Sequence, residues 1–284
     1  MLHEAMIYEY PQVERIVVIG DIHGDFKRFK RILTDAKIIN TDLEWIADPS
    51  NTIVLQMGDQ VDSANRVSEA KDWEVLRDID MLYFTNSLDN IAQSKGGRVI
   101  SLIGNHELMN VLGNFMYVSP KSNFPDRYKY FKPKGTLCTI LAKRPIVVKI
   151  GKLFFCHAGI KKRYFEILEK ENRDISYLND VWKKIMLSGE IVLSDKDIFE
   201  QIIMDQDGIL WTRNIDTEEN LNYVLEKLQC QYIFVGHTAS DTIHIVKDKI
   251  IYTDNGISRA FGSTKFQYIE IQNQVISIKE IVDI

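Results

Sequence analysis

Five times along this chain a short run of β-branched and aromatic residues stops beside a glycine, and an aspartate, asparagine or histidine stands at the stop. The runs are RIVVIG (15–20), NTIVLQMG (51–58), GRVISLIG (97–104), IVVKIGKLFFCH (146–157) and QYIFVGH (231–237), and the stops read GDIHGD, GDQVD, GNHE, CHAG and GHT. These runs alternate with segments of helical period, the pattern of a layered α/β fold. In such folds the loops at the carboxyl ends of the strands hold ligands, and glycine lets the backbone turn sharply enough to aim the next side chain outward. The chain is thereby predicted to gather Asp21, His23, Asp59, Asp62, Asn105, His106, Glu107, His157 and His237 at one end of its strands.

Two segments read as helices packed on those strands. In FKRFKRILTDAKII, Phe26, Phe29, Leu33 and Ala36 share one face and lysines and arginines cover the other. A second helix is expected from about Arg66 to Lys95, closed by Gly96 and Gly97. The closing segments, around KIIYTD and in FQYIEI and VISIKEI on either side of QNQ, are strand-like. Residues 108–145 mix Pro, Asn, Lys and aromatic residues without a sustained period and read as an irregular insertion, whereas a second insertion, 161–210, looks helical. No repeat, low-complexity tract or Pro/Gly/Ser linker interrupts the chain, so residues 1–284 are expected to form a single domain with a cap built from the two insertions.

Composition narrows the partners. With 45% apolar and 26% charged residues among 284, the chain can bury a sizeable core. A net charge of −5 gives no overall attraction to nucleic acid or to an anionic membrane. Cys138, Cys156 and Cys230 are far apart and in no metal-type spacing, which suits buried thiols in a reducing compartment. The N-terminal stretch MLHEAMIYEYPQVER lacks a basic segment followed by an apolar core, and no run reaches the roughly 20 apolar residues of a membrane helix, so a cytoplasmic location is expected.

A single GD or GH at a strand end is ordinary turn chemistry. Grouped together without a cation, these carboxylates would repel one another and the imidazoles would lack partners. His, Asp and Asn make a borderline-hard donor set suited to Mn²⁺, Fe, Zn²⁺ or Mg²⁺, with no thiolate to favour a structural zinc. Seven such donors exceed one tetrahedral site, and a shared carboxylate such as Asp59 suits two ions about 3.5–4 Å apart. The remaining histidines read differently: His3 lies in the terminus, and His244 belongs to the alternation of DTIHIVKD as a surface or strand-packing residue.

GDIHGD, GDQVD, GNHE, FFCHAGI and GHT, in this order, resemble the calcineurin-like metallophosphoesterases, and within them the phosphoprotein phosphatase family. GNHELMNVLGNFMYVS, RPIVVKIGKLFFCHAGI and DGILWTR resemble its bacterial-type branch, the Shewanella-like phosphatases. The resemblance implies a layered β-sandwich flanked by helices and a metal-dependent phosphomonoesterase acting on phospho-Ser/Thr or phospho-Tyr of a phosphoprotein or phosphopeptide. It implies two divalent ions, with Mn²⁺ as the first expectation and Fe, Zn²⁺ or Mg²⁺ open. Asp21 and His23 would bind the first ion, Asp59 would bridge both, and Asn105, His157 and His237 would complete the second. His106 would protonate the leaving oxygen, Asp62 would orient it, and a hydroxide shared by the ions would attack phosphorus in line. Arg213 in DGILWTR matches the family arginine that clamps phosphate, with Asn105 beside it.

One departure stands out. Where the family pattern continues GDxxD with Arg-Gly, this chain has Ser63 and Ala64; Arg66 is the residue nearby that could substitute. Asp254 in YTDNG is expected to form a turn or to support a ligand. The aromatics Tyr117, Phe124, Tyr128, Tyr130 and Phe131 would shape peptide choice or fill the cap. An alternative is a dinucleoside polyphosphate hydrolase, supported by Lys121, Arg127, Lys129, Lys132 and Lys134. A nuclease is disfavoured by the acidic balance. A catalytically weak metal-bound scaffold is the reading of another class, against which Asp62, His106 and Arg213 count, since a scaffold needs no acid or orienter.

Overall fold

The computed structural model of the chain describes residues 6–63, 77–120 and 122–283. In chain order its elements are β1 (Glu9–Tyr10), β2 (Arg15–Ile19), α1 (Phe26–Asp35), β3 (Ile53–Gln56), α2 (Arg77–Ser94), β4 (Arg98–Ser101), α3 (Asn105–Val111), α4 (Arg127–Phe131) and α5 (Cys138–Leu141). There follow β5 (Val147–Ile150), β6 (Leu153–Cys156), α6 (Lys162–Lys170), α7 (Tyr177–Ser188), α8 (Leu193–Ile198), which runs on into a π-helical turn (Phe199–Met204), and α9 (Glu218–Leu228). The chain closes with β7 (Tyr232–Val235), β8 (His244–Val246), β9 (Ile250–Tyr252), a 3₁₀ turn (Arg259–Phe261), β10 (Lys265–Gln272) and β11 (Val275–Val282).

The strands make two sheets, one in the order β11-β10-β2-β3-β4 and the other β1-β5-β6-β7-β9-β8. In the first, β2, β3 and β4 run parallel, with Ile16 opposite Ile53 and Ile53 opposite Arg98. Their carboxyl ends therefore lie side by side. In the second, β6, β7 and β9 are parallel, so Cys156 and Val235 bring the next residues of the chain to a common edge.

Alternation along the strands sets the layers. On β2, Ile16 and Val18 face the second sheet, where they meet Val148, Phe155 and Phe234, while Val17 and Ile19 face α1 and α2 through Phe29, Ile32 and Leu88. On the second sheet Phe154, Cys156, Ile233 and Val235 point the other way, into a core with Trp182 of α7, Tyr164 of α6 and Leu221 of α9. The result is helix, sheet, sheet, helix: the layered sandwich with flanking helices that the resemblance implied. Each fully buried Val, Ile, Leu or Phe in these layers contributes about 1.5–3 kcal/mol.

Several details differ from the sequence reading. The run 146–157 is not one strand but an antiparallel pair, because Gly151 takes φ +56° and turns β5 back into β6. The short strand β1 pairs parallel with β5. His244, as expected of a strand-packing residue, lies on β8 and stacks on Tyr252 of β9 at 4.9 Å between ring centres. The predicted helix 66–95 is described from Arg77 onward; its first part, with Arg66, lies outside the described residues. Cys156 and Cys230 are buried thiols, but Cys138 is only half-buried. Among the described residues no helix is long and apolar enough to cross a membrane.

Candidate metal centre

All of the strand-end side chains converge on one place at the seam of the two sheets. The loop after β2 is zipped to the loop after β3: the backbone N–H groups of Ile22 and His23 donate to the Asp59 carbonyl at 3.0 and 2.9 Å, and Gly24 donates to Gln60 at 2.8 Å. Glu107 of α3 ties in the third loop. Its carboxylate accepts from the backbone N–H groups of Asp59 (2.9 Å), Gln60 (2.8 Å), Val61 (3.3 Å) and Gly104 (2.8 Å). Gly104 has to be glycine, because a Cβ there would run into the Asp59 carboxylate. His23, Asp59, Asp62 and His237 all take positive φ, between +44° and +68°. Non-glycine residues hold this conformation only where their surroundings over-determine it, and such residues cluster at functional sites.

Hydrogen bonds to backbone carbonyls fix the imidazoles of His23, His157 and His237. A carbonyl only accepts, so the ring nitrogen facing it carries the proton. His23 thus donates from Nδ1 to the Asp62 carbonyl at 3.0 Å and turns Nε2 toward Asp59 Oδ2, 3.9 Å away. His157 donates from Nδ1 to Met57 at 2.8 Å, which directs Nε2 at Asp59 Oδ2 (3.4 Å) and Asn105 Oδ1 (2.9 Å). His237 donates from Nε2 to Trp211 at 2.9 Å, which sets Nδ1 2.9 Å from the same Asn105 Oδ1. Lone pairs of two imidazoles, an amide oxygen and a carboxylate therefore point at one another, an arrangement that repels unless a proton or a cation lies among them.

The charges of the cluster say the same. Burial raises the Asp59 carboxyl, but the imidazoles of His157, His106 and His23 outweigh it and hold Asp59 well below the ordinary carboxylate range. Burial pulls His157 down, yet the carboxylates of Asp59 and Asp21 prevail and push it up to about 10. His237, pressed by burial and by the charge of His157, falls to about 3. A proton on His157 thus stands in for a cation.

Among the described residues two sets of donors could hold metal ions: His23, Asp59 and His106, and Asp59, His157 and His237, each with ligand atoms within 4.8 Å of one another. Asp59 belongs to both. Asp21 is outside these sets; its Oδ2 accepts from the His237 backbone N–H at 2.9 Å, and its buried Oδ1 has no hydrogen-bond partner. Burial and the charge of Asp254 raise the Asp21 carboxyl well above its usual range. An orphaned buried carboxylate oxygen beside this cluster fits a cation that the other donors share. Asp254 also forms the expected turn, accepting from the Gly256 N–H at 3.1 Å.

His106 differs from the other histidines. Its Nδ1 lies 3.0 Å from Asp62 Oδ2, a carboxylate rather than a carbonyl, and its Nε2 lies 3.8 Å from Asp59 Oδ2. This is an acid and its orienter at the edge of the donor cluster. Aromatic rings flank the histidines on this side: Tyr117 lies against His106 at 5.1 Å between ring centres, and Phe261 against His23 at 5.4 Å. Arg213 is exposed, and its charge reaches His237.

The remaining residues singled out in the sequence divide. Ser63 is buried and presents no cation after Asp62. Of the basic residues 121–134, Arg127 is fully buried and Lys129 pairs with Asp126 at 2.7 Å, while Lys121 lies outside the described residues. The insertion's aromatics divide: Phe131 is buried, Phe124 packs on Tyr130 and Tyr128 is exposed. Glu107, Asn110, Arg127 and Arg259 carry roles at the site that their motifs did not announce. Arg259, for example, donates from its backbone N–H, Nε and Nη2 to the buried Asp25 carboxylate at 2.8–2.9 Å. Asn110 had a signal, since it stands one helical turn after His106.

The calcineurin-like phosphoesterase family profile matches residues 14–241. Shewanella-like protein phosphatase 1 of Plasmodium berghei is 28% identical over 292 residues, covering 94% of this chain and 74% of that protein. Shewanella-like protein phosphatase 2 of Arabidopsis thaliana is 30% identical over 146 residues, which is 50% of this chain and 34% of that protein. Among solved structures, the cold-active protein-tyrosine phosphatase of a psychrophilic Shewanella species superposes with a TM-score of 0.75 at 20% identity, covering 98% of this chain and 83% of that one. A Saccharomyces cerevisiae protein serine/threonine phosphatase superposes with a TM-score of 0.60 at 13% identity, covering 99% and 85%.

Proposed function

The chain belongs to the calcineurin-like phosphoesterase family, and on that footing we propose that it is a metal-dependent phosphomonoesterase acting on phosphoproteins. The observation that carries the reading is the convergence of donor lone pairs on Asp59 beside a histidine whose Nδ1 lies 3.0 Å from the Asp62 carboxylate. In this reading Asp21, His23 and Asp59 would hold one ion, with His106 left free of it as the acid, and Asp59, Asn105, His157 and His237 would hold the other. When bound, two such ions supply an activated water and neutralise the phosphoryl oxygens. Mn²⁺ is the ion this set of nitrogen and oxygen donors is expected to work with.

The chain's own groups do the rest. His106 gives a proton from Nε2 to the leaving oxygen while Asp62 fixes its ring. Arg213, exposed beside His237, meets the phosphate, with the Asn105 amide beside it. Tyr117 and Phe261 border the approach to His106 and His23, so an apolar part of a substrate would meet them first. A phosphoprotein substrate is supported by the phosphatase relatives, and the two insertions are read as parts of one domain that frames the cleft.

Metal-stripped protein, assayed with p-nitrophenyl phosphate before and after Mn²⁺ is restored, tests this. Activity is expected only with metal and is expected to drop at least about 100-fold in Asp59→Asn and in His106→Asn. Phosphopeptides carrying phosphoserine, phosphothreonine or phosphotyrosine are expected to be hydrolysed and dinucleoside polyphosphates are not. A wild-type protein inert under every divalent metal would refute the proposal.

A further inference from the structure

Two helices, α3 and α4, meet on the Asp62 carboxylate, and α4 contributes an arginine with no outlet to solvent. Arg127, the first residue of α4 in the 108–145 insertion, is fully buried. Its Nη2 lies 3.4 Å from Asp62 Oδ1 and 2.6 Å from Asp78 Oδ2 of α2. Its Nε donates to Asn110 Oδ1 at 2.8 Å and its Nη1 to the Ser122 carbonyl at 3.2 Å. The guanidinium lies over the Phe131 ring, 4.7 Å from its centre. Asn110 in turn donates Nδ2 to both Asp62 oxygens at 2.9 Å, and Asp62 Oδ2 faces His106 Nδ1 at 3.0 Å.

From this geometry we infer that Arg127 is a positioning residue for proton delivery to the leaving group: it locks Asp62, through itself and through Asn110, so that the His106 ring stays aimed at the reaction centre. The inference rests on the phosphatase reading above. The physical case is the following. A carboxylate on a single-bonded arm swings unless both oxygens are held, and Asp62 sits in a loop at φ +68° rather than in a helix or strand. Asn110 holds both oxygens through Nδ2, which also donates to the His106 carbonyl at 2.9 Å, and Arg127 Nε holds the other end of the amide at Oδ1. The planar fork of a guanidinium reaches Asp62, Asp78, Asn110 and Ser122 at once, which a lysine ammonium cannot. The cost of burying the cation is offset by two carboxylates and by the Phe131 face. A frame that only stabilised the insertion would not need to end on the residue that orients the acid.

General acid catalysis matters most where the leaving oxygen is a poor one, so the test is the leaving-group dependence of kcat, read with p-nitrophenyl, phenyl and 2,4-dinitrophenyl phosphate on Mn²⁺-loaded protein. Arg127→Lys keeps the charge and loses the fork. The double variant Arg127→Met with Asp78→Asn removes a cation and an anion together, which guards against failure to fold; circular dichroism checks that both are native. Both variants are expected to lose about 10- to 100-fold on phenyl phosphate and less than about 3-fold on 2,4-dinitrophenyl phosphate. In a His106→Asn background the same replacements are expected to change nothing further, because the effect passes through that ring. Equal losses on all three esters, or a full additional loss in the His106→Asn background, would show a merely structural arginine and overturn the inference. A wild type inert toward every ester would instead fail the phosphatase reading, and the inference would fall with it.

Discussion

Asp59 shows how much a single residue carries at this site. Its carbonyl accepts two N–H groups from the loop after β2, its own N–H goes to Glu107, its Oδ1 accepts the His106 backbone N–H at 2.9 Å, and its Oδ2 faces the rings of His23, His106 and His157. These contacts hold both the main chain and the carboxylate, which keeps Oδ2 facing the imidazoles. His157 answers by holding a proton up to about pH 10, against an ordinary histidine value of 6.5. The sign of the consequence is fixed: below about 10 a metal ion entering the cluster must expel that proton, so apparent metal affinity rises with pH until His157 is deprotonated in the metal-free protein. Titration of Mn²⁺ into stripped protein at pH 8, by calorimetry in buffers of different ionisation enthalpy, is expected to show release of about one proton or more. His157→Ala is expected to abolish most of that release. Binding without any proton release would mean that the ion sits elsewhere.

At the scale of elements, strand alternation decides which residues build the frame. Phe155 of β6 is fully buried between the sheets and stacks on Phe234 of β7 at 4.7 Å, whereas Val275 at the start of β11 is 65% exposed. Phe155→Ala is expected to lower the unfolding free energy by about 3–5 kcal/mol, and Val275→Thr by less than about 0.5 kcal/mol, in urea titrations with chelator present. Similar costs for the two would contradict the layer assignment. These strands, with the glycines and the Asp and His residues that end them, were legible in the sequence because each is written in consecutive residues: a β-branched run, a breaker, a donor. What supports the donors was not. Arg127 read as one more base in a basic stretch, and its contacts to Asp62, 65 residues earlier, and to Asp78, 49 residues earlier, follow from packing. Glu107 was visible in GNHE, but its grip on the β3 loop requires α3 to start against that loop. The hairpin at Gly151 was hidden because both strands are apolar and the turn between them is only two residues long.

For the molecule as a whole, the site is a joint between two sheets whose facing surfaces are largely apolar, with other polar links, such as Arg98 Nη1 to the Tyr10 hydroxyl at 2.9 Å, lying on different strands. The five-stranded sheet supplies Asp21, His23, Asp59, Asn105 and His106 from the ends of β2, β3 and β4, and the six-stranded sheet supplies His157 and His237 from the ends of β6 and β7. Polar links already cross the seam: His157 Nδ1 donates to Met57 and the His237 N–H to Asp21 Oδ2. An ion held by donors from both sheets binds only when the sheets are assembled, so its binding free energy adds to the stability of the fold by mass action. At a free Mn²⁺ concentration 100 times its dissociation constant the gain is about 2.7 kcal/mol, and for a chain of this size that corresponds to a rise in Tm of about 5 °C or more. Thermal unfolding followed by circular dichroism, with chelator and then with Mn²⁺, is expected to show that rise in the wild type. His157→Ala removes a donor of the six-stranded sheet and leaves those of the other, so its Tm is expected to move by less than half as much. An equal shift in the two proteins would place the stabilising ion within one sheet and refute the joint.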